Sequence, residues 1–257
     1  MILDLFKGLP TSIISAMRNI FFIGILLVTF QHEARGQQAN GVQDIPGTSA
    51  GIIVQSTDFR FDGTVPSEVA FRFDGLAYGL FYKREAVQMM VTRGAQSIGP
   101  NDDLVLTDFT LSGLAKIRPW DKKGNSKIEP FFPVGLQSNY RRIKRTQENV
   151  EIDAFEYTVV AIGSGLGVEM PLGKGRLVSK GMAFYGIANR SFSNNTDTSA
   201  IVEASVVWSS VRLTERFGFE VGYNYRWQKW YSDIGQLTGS SYNFIGSHHA
   251  VQVGLSF

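Results

Sequence analysis

Apolar and polar residues alternate with a period of two along most of the chain. The steepest stretch runs from Phe217 to Trp227. There Phe217, Phe219, Val221, Tyr223, Tyr225 and Trp227 fall on one face, and Gly218, Glu220, Gly222, Asn224 and Arg226 on the other. A period of two places such sets on opposite sides of a β-strand. Phe109, Leu111, Gly113, Ala115 and Ile117 alternate in the same way with Asp108, Thr110, Ser112, Leu114, Lys116 and Arg118. So do Val251, Val253, Leu255 and Phe257 with Gln252, Gly254 and Ser256. The pattern predicts strands over 50–61, 68–82, 86–93, 105–118, 128–140, 154–170, 176–191, 201–213, 217–230 and 248–257. The first is the least regular: Ile52 and Ile53 fall on opposite faces, while Asp58 and Arg60 share one.

The segments between them alternate in kind. Lys83-Arg84-Glu85, Pro171 to Gly175 and Thr214-Glu215-Arg216 read as tight turns, with 119–127 of medium length. The intervening segments 62–67, 94–104, 141–153, 192–200 and 231–247 are mostly longer and more polar. Short turns at one end and long loops at the other mark a transmembrane barrel of the outer-membrane type. The fold class is therefore all-β: an antiparallel up-and-down transmembrane β-barrel of ten strands, with eight as the alternative. An even count leaves both termini on the short-turn, periplasmic side. Phe59-Arg60-Phe61-Asp62-Gly63 recurs as Phe71-Arg72-Phe73-Asp74-Gly75, which reads as two similar strand ends meeting a glycine turn or as chance.

Composition agrees with this and narrows it. The 257 residues carry a formal charge of +2, too small for nucleic-acid binding by counterion release. Charged residues, at 19%, are scarce against about 25% in a soluble domain. The absence of cysteine excludes a disulfide framework, Cys-ligated zinc, Fe–S clusters, thiol catalysis and a lipidated N-terminal cysteine. After the N-terminal region no apolar run reaches the ~18 residues of a membrane helix.

At the N-terminus, Arg18 precedes an apolar run from Ile20 to Phe30, and small residues flank a cleavage point after Gly36. This is the form of a secretory signal peptide. The predicted organisation is a signal peptide over 1–36, a flexible segment over 37–48 and the barrel over 49–257. Residues 1–16 precede a second methionine, Met17.

Ile162-Gly163-Ser164-Gly165-Leu166-Gly167-Val168-Glu169 runs into a Pro-Leu-Gly turn, and the chain closes on Val251-Gln252-Val253-Gly254-Leu255-Ser256-Phe257. With the strand pattern and the export signal, these segments resemble the small bacterial outer-membrane β-barrel proteins of the OmpA/OmpX/OmpW-like group. The resemblance implies a Gram-negative outer-membrane location, lipid and lipopolysaccharide as surroundings, and recognition of Phe257 by the barrel-assembly machinery. It also implies a porin-like monomer with a role in envelope structure, surface interaction or slow passage of a small solute.

Candidate site residues follow from parity. Lys116, Arg118, Glu129, Glu169 and Glu220 should face the lumen near the short-turn end, together with Arg226 higher up, because a charge on the lipid face costs about 2–4 kcal/mol at mid-membrane. Salt bridges are expected from Lys116 or Arg118 to Glu129 or Glu169, filling the lumen rather than lining an open path. Loss of Glu129 would then strand a buried cation. The inward glycines, Gly163 and Gly167 among them, would make room for bulky neighbours such as Phe131 and Tyr157. Interfacial aromatics are expected at two levels: Trp227, Trp230 and Tyr231 on the loop side, Phe217 and Phe257 on the turn side. Arg141, Arg142, Lys144 and Arg145 open an outer loop where basic side chains would meet lipopolysaccharide phosphates.

Catalysis is not expected. Ser247 and His249 share a face, but the order is the reverse of that in outer-membrane deacylases and no Asn-rich motif surrounds them. His248 and His249 point to opposite faces, so no metal and no cofactor are expected. Two rival readings stay open: a lipid-A-modifying outer-membrane enzyme, and a soluble lipocalin-type ligand-binding barrel. The second would reverse the faces, apolar inside and polar outside.

Overall fold

The computed structural model describes residues 47–63, 71–84, 86–100, 102–119, 128–147, 150–190, 196–210, 217–231 and 243–257. The expected signal peptide and all but the end of the lead-in lie outside them. Ten strands follow one another: β1 (Thr48–Phe61), β2 (Arg72–Arg84), β3 (Val87–Gly99), β4 (Asp102–Ile117), β5 (Glu129–Gln147), β6 (Val150–Pro171), β7 (Gly175–Arg190), β8 (Thr196–Ser210), β9 (Gly218–Tyr231) and β10 (Phe244–Ser256). Each pairs antiparallel with its sequence neighbours, and β10 pairs with β1, so the sheet is a closed barrel. Closure gives every strand a partner on both sides, as lipid requires. At the join, the Phe257 N–H donates to the Thr48 carbonyl at 2.8 Å.

The register fixes the barrel's shape. From Val54 through Tyr78, Arg93, Thr107 and Arg142, the ladder arrives at Glu156 on β6. In the other direction, through Val251, Tyr223, Val206 and Ser179, it arrives at Val168. The stagger is 12 residues. For ten strands this corresponds to a tilt of about 40°, and hence to about 2.5 Å of axial rise per residue.

Alternation sorts the side chains as the sequence implies. Phe217, Phe219, Val221 and Tyr223 are exposed on the outer wall, whereas Glu220 and Arg226 are buried inside. Exposed apolar side chains recur around the barrel, among them Ile52, Leu80, Val91, Ile162, Tyr185 and Leu255. Such a surface is stable only against an apolar solvent.

The strands differ from the expected bounds mainly at the end away from the termini. β3 and β4 continue to Gly99 and Asp102, and β5 and β6 continue to Gln147 and Val150. The expected loops 94–104 and 141–153 are therefore mostly paired ribbon. Beyond the apolar band no lipid enforces polar–apolar alternation, so the pattern fades while the hydrogen-bond ladder goes on. A β-bulge at Ala154 of β6, opposite Ile143 and Lys144 of β5, marks the change. The repeated Phe-Arg-Phe-Asp-Gly segments lie side by side. Phe59 is the ladder partner of Phe73 and Arg60 of Arg72, so the echo is one pairing seen from both strands.

Candidate functional site

The lumen has three storeys, each built from inward positions of several strands. Nearest the termini is a charged layer. The Glu169 carboxylate accepts from Lys116 and from Arg118 Nη2 at 2.7 Å, with Arg176 at 3.5 Å. Glu169 is buried, while the side chains of its three cations are about one-third exposed. Glu129 stands 3.9 Å from Arg118 and is itself partly exposed. Glu220 has a separate set of partners: Lys83 and Ser49 at 3.1 Å, Gln252 at 2.9 Å and Ser209 at 3.3 Å. Lys116, Arg118, Glu129 and Glu169 thus meet in one cluster, and Glu220 does not join them. The buried, multiply paired acid is Glu169, so the role expected of Glu129 belongs to Glu169.

The middle storey is a continuous hydrogen-bonded network. Asp108 holds Arg141, and both side chains are almost wholly buried. Asn139 donates to Asp108 at 2.6 Å and to Thr110 at 3.1 Å. Arg226 donates to Thr110 at 3.0 Å and to Glu203 at 2.6 Å, and Gln137 donates to Glu203 at 2.8 Å. His248 Nδ1 lies 3.4 Å from Arg141 Nη2. A cavity of about 40 Å³ remains here, lined among others by Lys180, Glu203, Arg226 and His248. Buried charges persist only when paired and hydrogen-bonded, and here Arg141 is paired with Asp108 and Arg226 with Glu203.

The far storey is aromatic. Phe59 packs against Phe155 (4.5 Å between centroids), Trp230 (5.3 Å), Phe71 (5.7 Å) and Phe244 (5.8 Å). Leu104, Leu106, Ile143, Phe73 and Tyr157 complete the cluster. Each such side chain gains about 1.5–3 kcal/mol from burial. Arg141 links this storey to the one below, with its guanidinium carbon 5.3 Å from the Trp230 ring and 5.7 Å from Phe59. Gly246 makes this possible: a Cβ there would come within 2.9 Å of Arg141 and 3.0 Å of Phe59. Lower down, a Cβ on Gly167 would sit 2.2 Å from the Phe131 ring, so this glycine does make room for its neighbour.

Two expected positions are corrected. Trp230 is not an interfacial residue; its opposite parity to Trp227 and Tyr231 turns it inward, where it is 1% exposed. Trp227 is half-buried on the outer wall, and Tyr231, Phe217 and Phe257 are exposed. Arg141 is not a loop residue but a buried lumen residue on β5. The rest of the basic cluster is also on that strand, each member holding an acid: Arg142 with Asp153 (2.7 Å), Lys144 with Glu151 (2.6 Å) and Arg145 with Asp102 (2.6 Å). Ladder pairing brings β4 and β6 acids beside every base of β5, which spacing along one strand does not reveal.

Ser247 and His249 face outward. Asp58 is the ladder partner of Ser247, but its carboxylate is held by Arg72 at 3.0 Å. His249 Nδ1 is hydrogen-bonded to the Tyr223 hydroxyl at 2.6 Å. Sequence reasoning missed the Asp108–Arg141 pair, Lys83, Arg176 and the aromatic storey. Parity alone already placed Asp108 on the inward face of β4.

The fold and its lumen define a small closed antiparallel barrel filled by its own side chains. No protein-family model matches the sequence, and no curated protein matches it. Among solved structures the chain is similar to the outer membrane protease OmpT from Escherichia coli, at 8% identity over 86% of this chain and 99% of that one, with a TM-score of 0.43. It is also similar to the translocator domain of autotransporter NalP from Neisseria meningitidis (10% identity, 96% and 100% covered, TM-score 0.34). Neisserial surface protein A gives 14% identity, 81% and 99% covered and a TM-score of 0.29. These are likenesses of overall form, and no residue role is taken from them.

Proposed function

We propose that the chain is a non-catalytic bacterial outer-membrane β-barrel that serves the envelope as a structural and surface-interaction protein, with its lumen closed to bulk solute flow. The observation that carries this reading is the aromatic storey across the far half of the lumen, stacked on the hydrogen-bonded network of Asp108, Arg141, Glu203 and Arg226. The apolar outer wall supports the membrane setting and is the inverse of a lipocalin-type barrel. The start of β1 and the end of β10 lie at one end of the barrel, the periplasmic end in this reading, where Phe257 is exposed to the assembly machinery. The outward Ser247, His249 and Asp58 do not form a relay, since His249 and Asp58 are each engaged elsewhere; this supports a non-catalytic role.

Two measurements test the reading. Refolded protein in detergent should show heat-dependent gel mobility, as closed membrane barrels do. In planar bilayers it should give no large, steady conductance. A steady, large conductance would make the protein a porin instead.

A further inference from the structure

The β2–β3 pairing is incomplete. Its register ends at Ala77 opposite Gly94, although β2 runs on to Arg72 and β3 to Gly99. Beyond that point a side chain replaces a backbone rung: the Asp74 N–H donates to Gln96 Oε1 at 2.7 Å. On the outer wall the parting seam leaves a groove of about 520 Å³ lined by Leu76, Tyr78, Arg93, Gly94, Ala95 and Val105. Gly94 keeps the strands in contact at its base, where a Cβ would meet the Leu76 carbonyl at 2.5 Å.

Arg93 is the chemically distinctive member. The outward positions of β3 read Val87, Met89, Val91, Arg93, Ala95, so a cation follows three apolar residues on the wall that faces lipid. It stands six residues above Val87, or about 15 Å along the axis, in the half of the band away from the termini. Arg72, Arg142 and Arg145 each hold a carboxylate. Arg93 is exposed and has no ion-pair or hydrogen-bond partner among the described residues. An unneutralised charge at this depth is costly. A guanidinium fork suits phosphate oxygens, and the walls from Leu76, Tyr78 and Val105 suit hydrocarbon.

We propose that this groove binds one phosphorylated, acylated lipid of the outer leaflet. Its phosphate meets Arg93, its polar head covers the parted seam, and an acyl chain runs down the wall past Tyr78 to Leu80 and Val91. The proposal rests on the membrane reading given above.

The test uses the refolded full chain in detergent, followed by native mass spectrometry with three probes: lipid A, diacylglycerol and inorganic phosphate. Lipid A should be retained, and the other two should not. Arg93→Gln should weaken lipid A binding by about tenfold, the loss expected for one charge-assisted hydrogen bond. Ala95→Trp, which fills the groove without altering charge, should weaken it as well. Both variants should keep heat-dependent mobility; loss of that property in the wild type would overturn the membrane reading, not the groove. Wild-type lipid A binding by both variants, or binding of inorganic phosphate as tight as that of lipid A, would overturn the proposal.

Discussion

The two ends of the lumen solve the same packing problem with different chemistry. Near the termini the space is filled by Lys83, Lys116, Arg118 and Arg176 around two buried acids, and the cations remain partly in water. At the far end it is filled by Phe59, Phe155, Trp230 and Phe244 with almost no exposure. A lumen of this width must be occupied in either case. Ions suit the end where water can reach them, because a partly solvated charge does not bear the full desolvation cost. Aromatic rings suit the end that has to stay dry. Arg141 lies between the two, paired with Asp108 below and stacked on rings above.

The comparison can be broken most severely at that boundary. Asp108→Ala leaves the Arg141 guanidinium buried without its acid and should destabilise the barrel by about 3–5 kcal/mol, measured by urea unfolding in lipid vesicles. The double variant Asp108→Leu with Arg141→Met should recover much of that loss, since no orphaned charge remains. A double variant no more stable than Asp108→Ala would mean that the network does more than neutralise itself. The next effect concerns the seal. Phe155→Ala should cost about 3 kcal/mol, at the low end of large-to-small aromatic substitutions, and should raise ion leakage in planar bilayers. Unchanged leakage would place the barrier in the ionic storey instead. The smallest effect is expected outside both storeys. Lys144→Ala removes a solvent-facing pair with Glu151, and should change stability by under about 1 kcal/mol, a difference that fades in high salt.

What the sequence revealed depends on where lipid enforces a rule. Along β9 from Phe219 to Trp227 and along β10 from Val251 to Leu255 the outward residues are apolar and the inward ones polar or glycine, so strands, faces and closure are readable there residue by residue. β1 was harder to read because its far part obeys neither condition. Phe59 turns inward into the aromatic storey while Asp58 and Arg60 turn outward above the apolar band, which inverts the usual polarity. The same inversion hid the seal: Phe73, Phe155 and Trp230 are apolar residues on the lumen side, where alternation predicts polar ones. Trp230 was grouped with Trp227 by residue type, although three positions along a strand always change the face. The partners of Glu169 were partly readable, because Lys116 and Arg118 share its parity and its end of the barrel. Arg176 and Lys83 became visible only once the stagger had brought their strands around.

The long β5–β6 hairpin has a further consequence. A membrane span takes about 9–11 residues of a tilted strand, whereas β6 alone has 22. The excess continues past the apolar band beside the far ends of β3 and β4, since β4 stays paired with β5 as far as Asp102–Gln147 and β3 with β4 as far as Gly99–Asp102, and Arg142, Lys144 and Arg145 each hold an acid of β4 or β6. The extension therefore presents paired charges along its flank rather than a basic arm. Recognition there would depend on shape and on the identity of the tip, and would respond little to ionic strength.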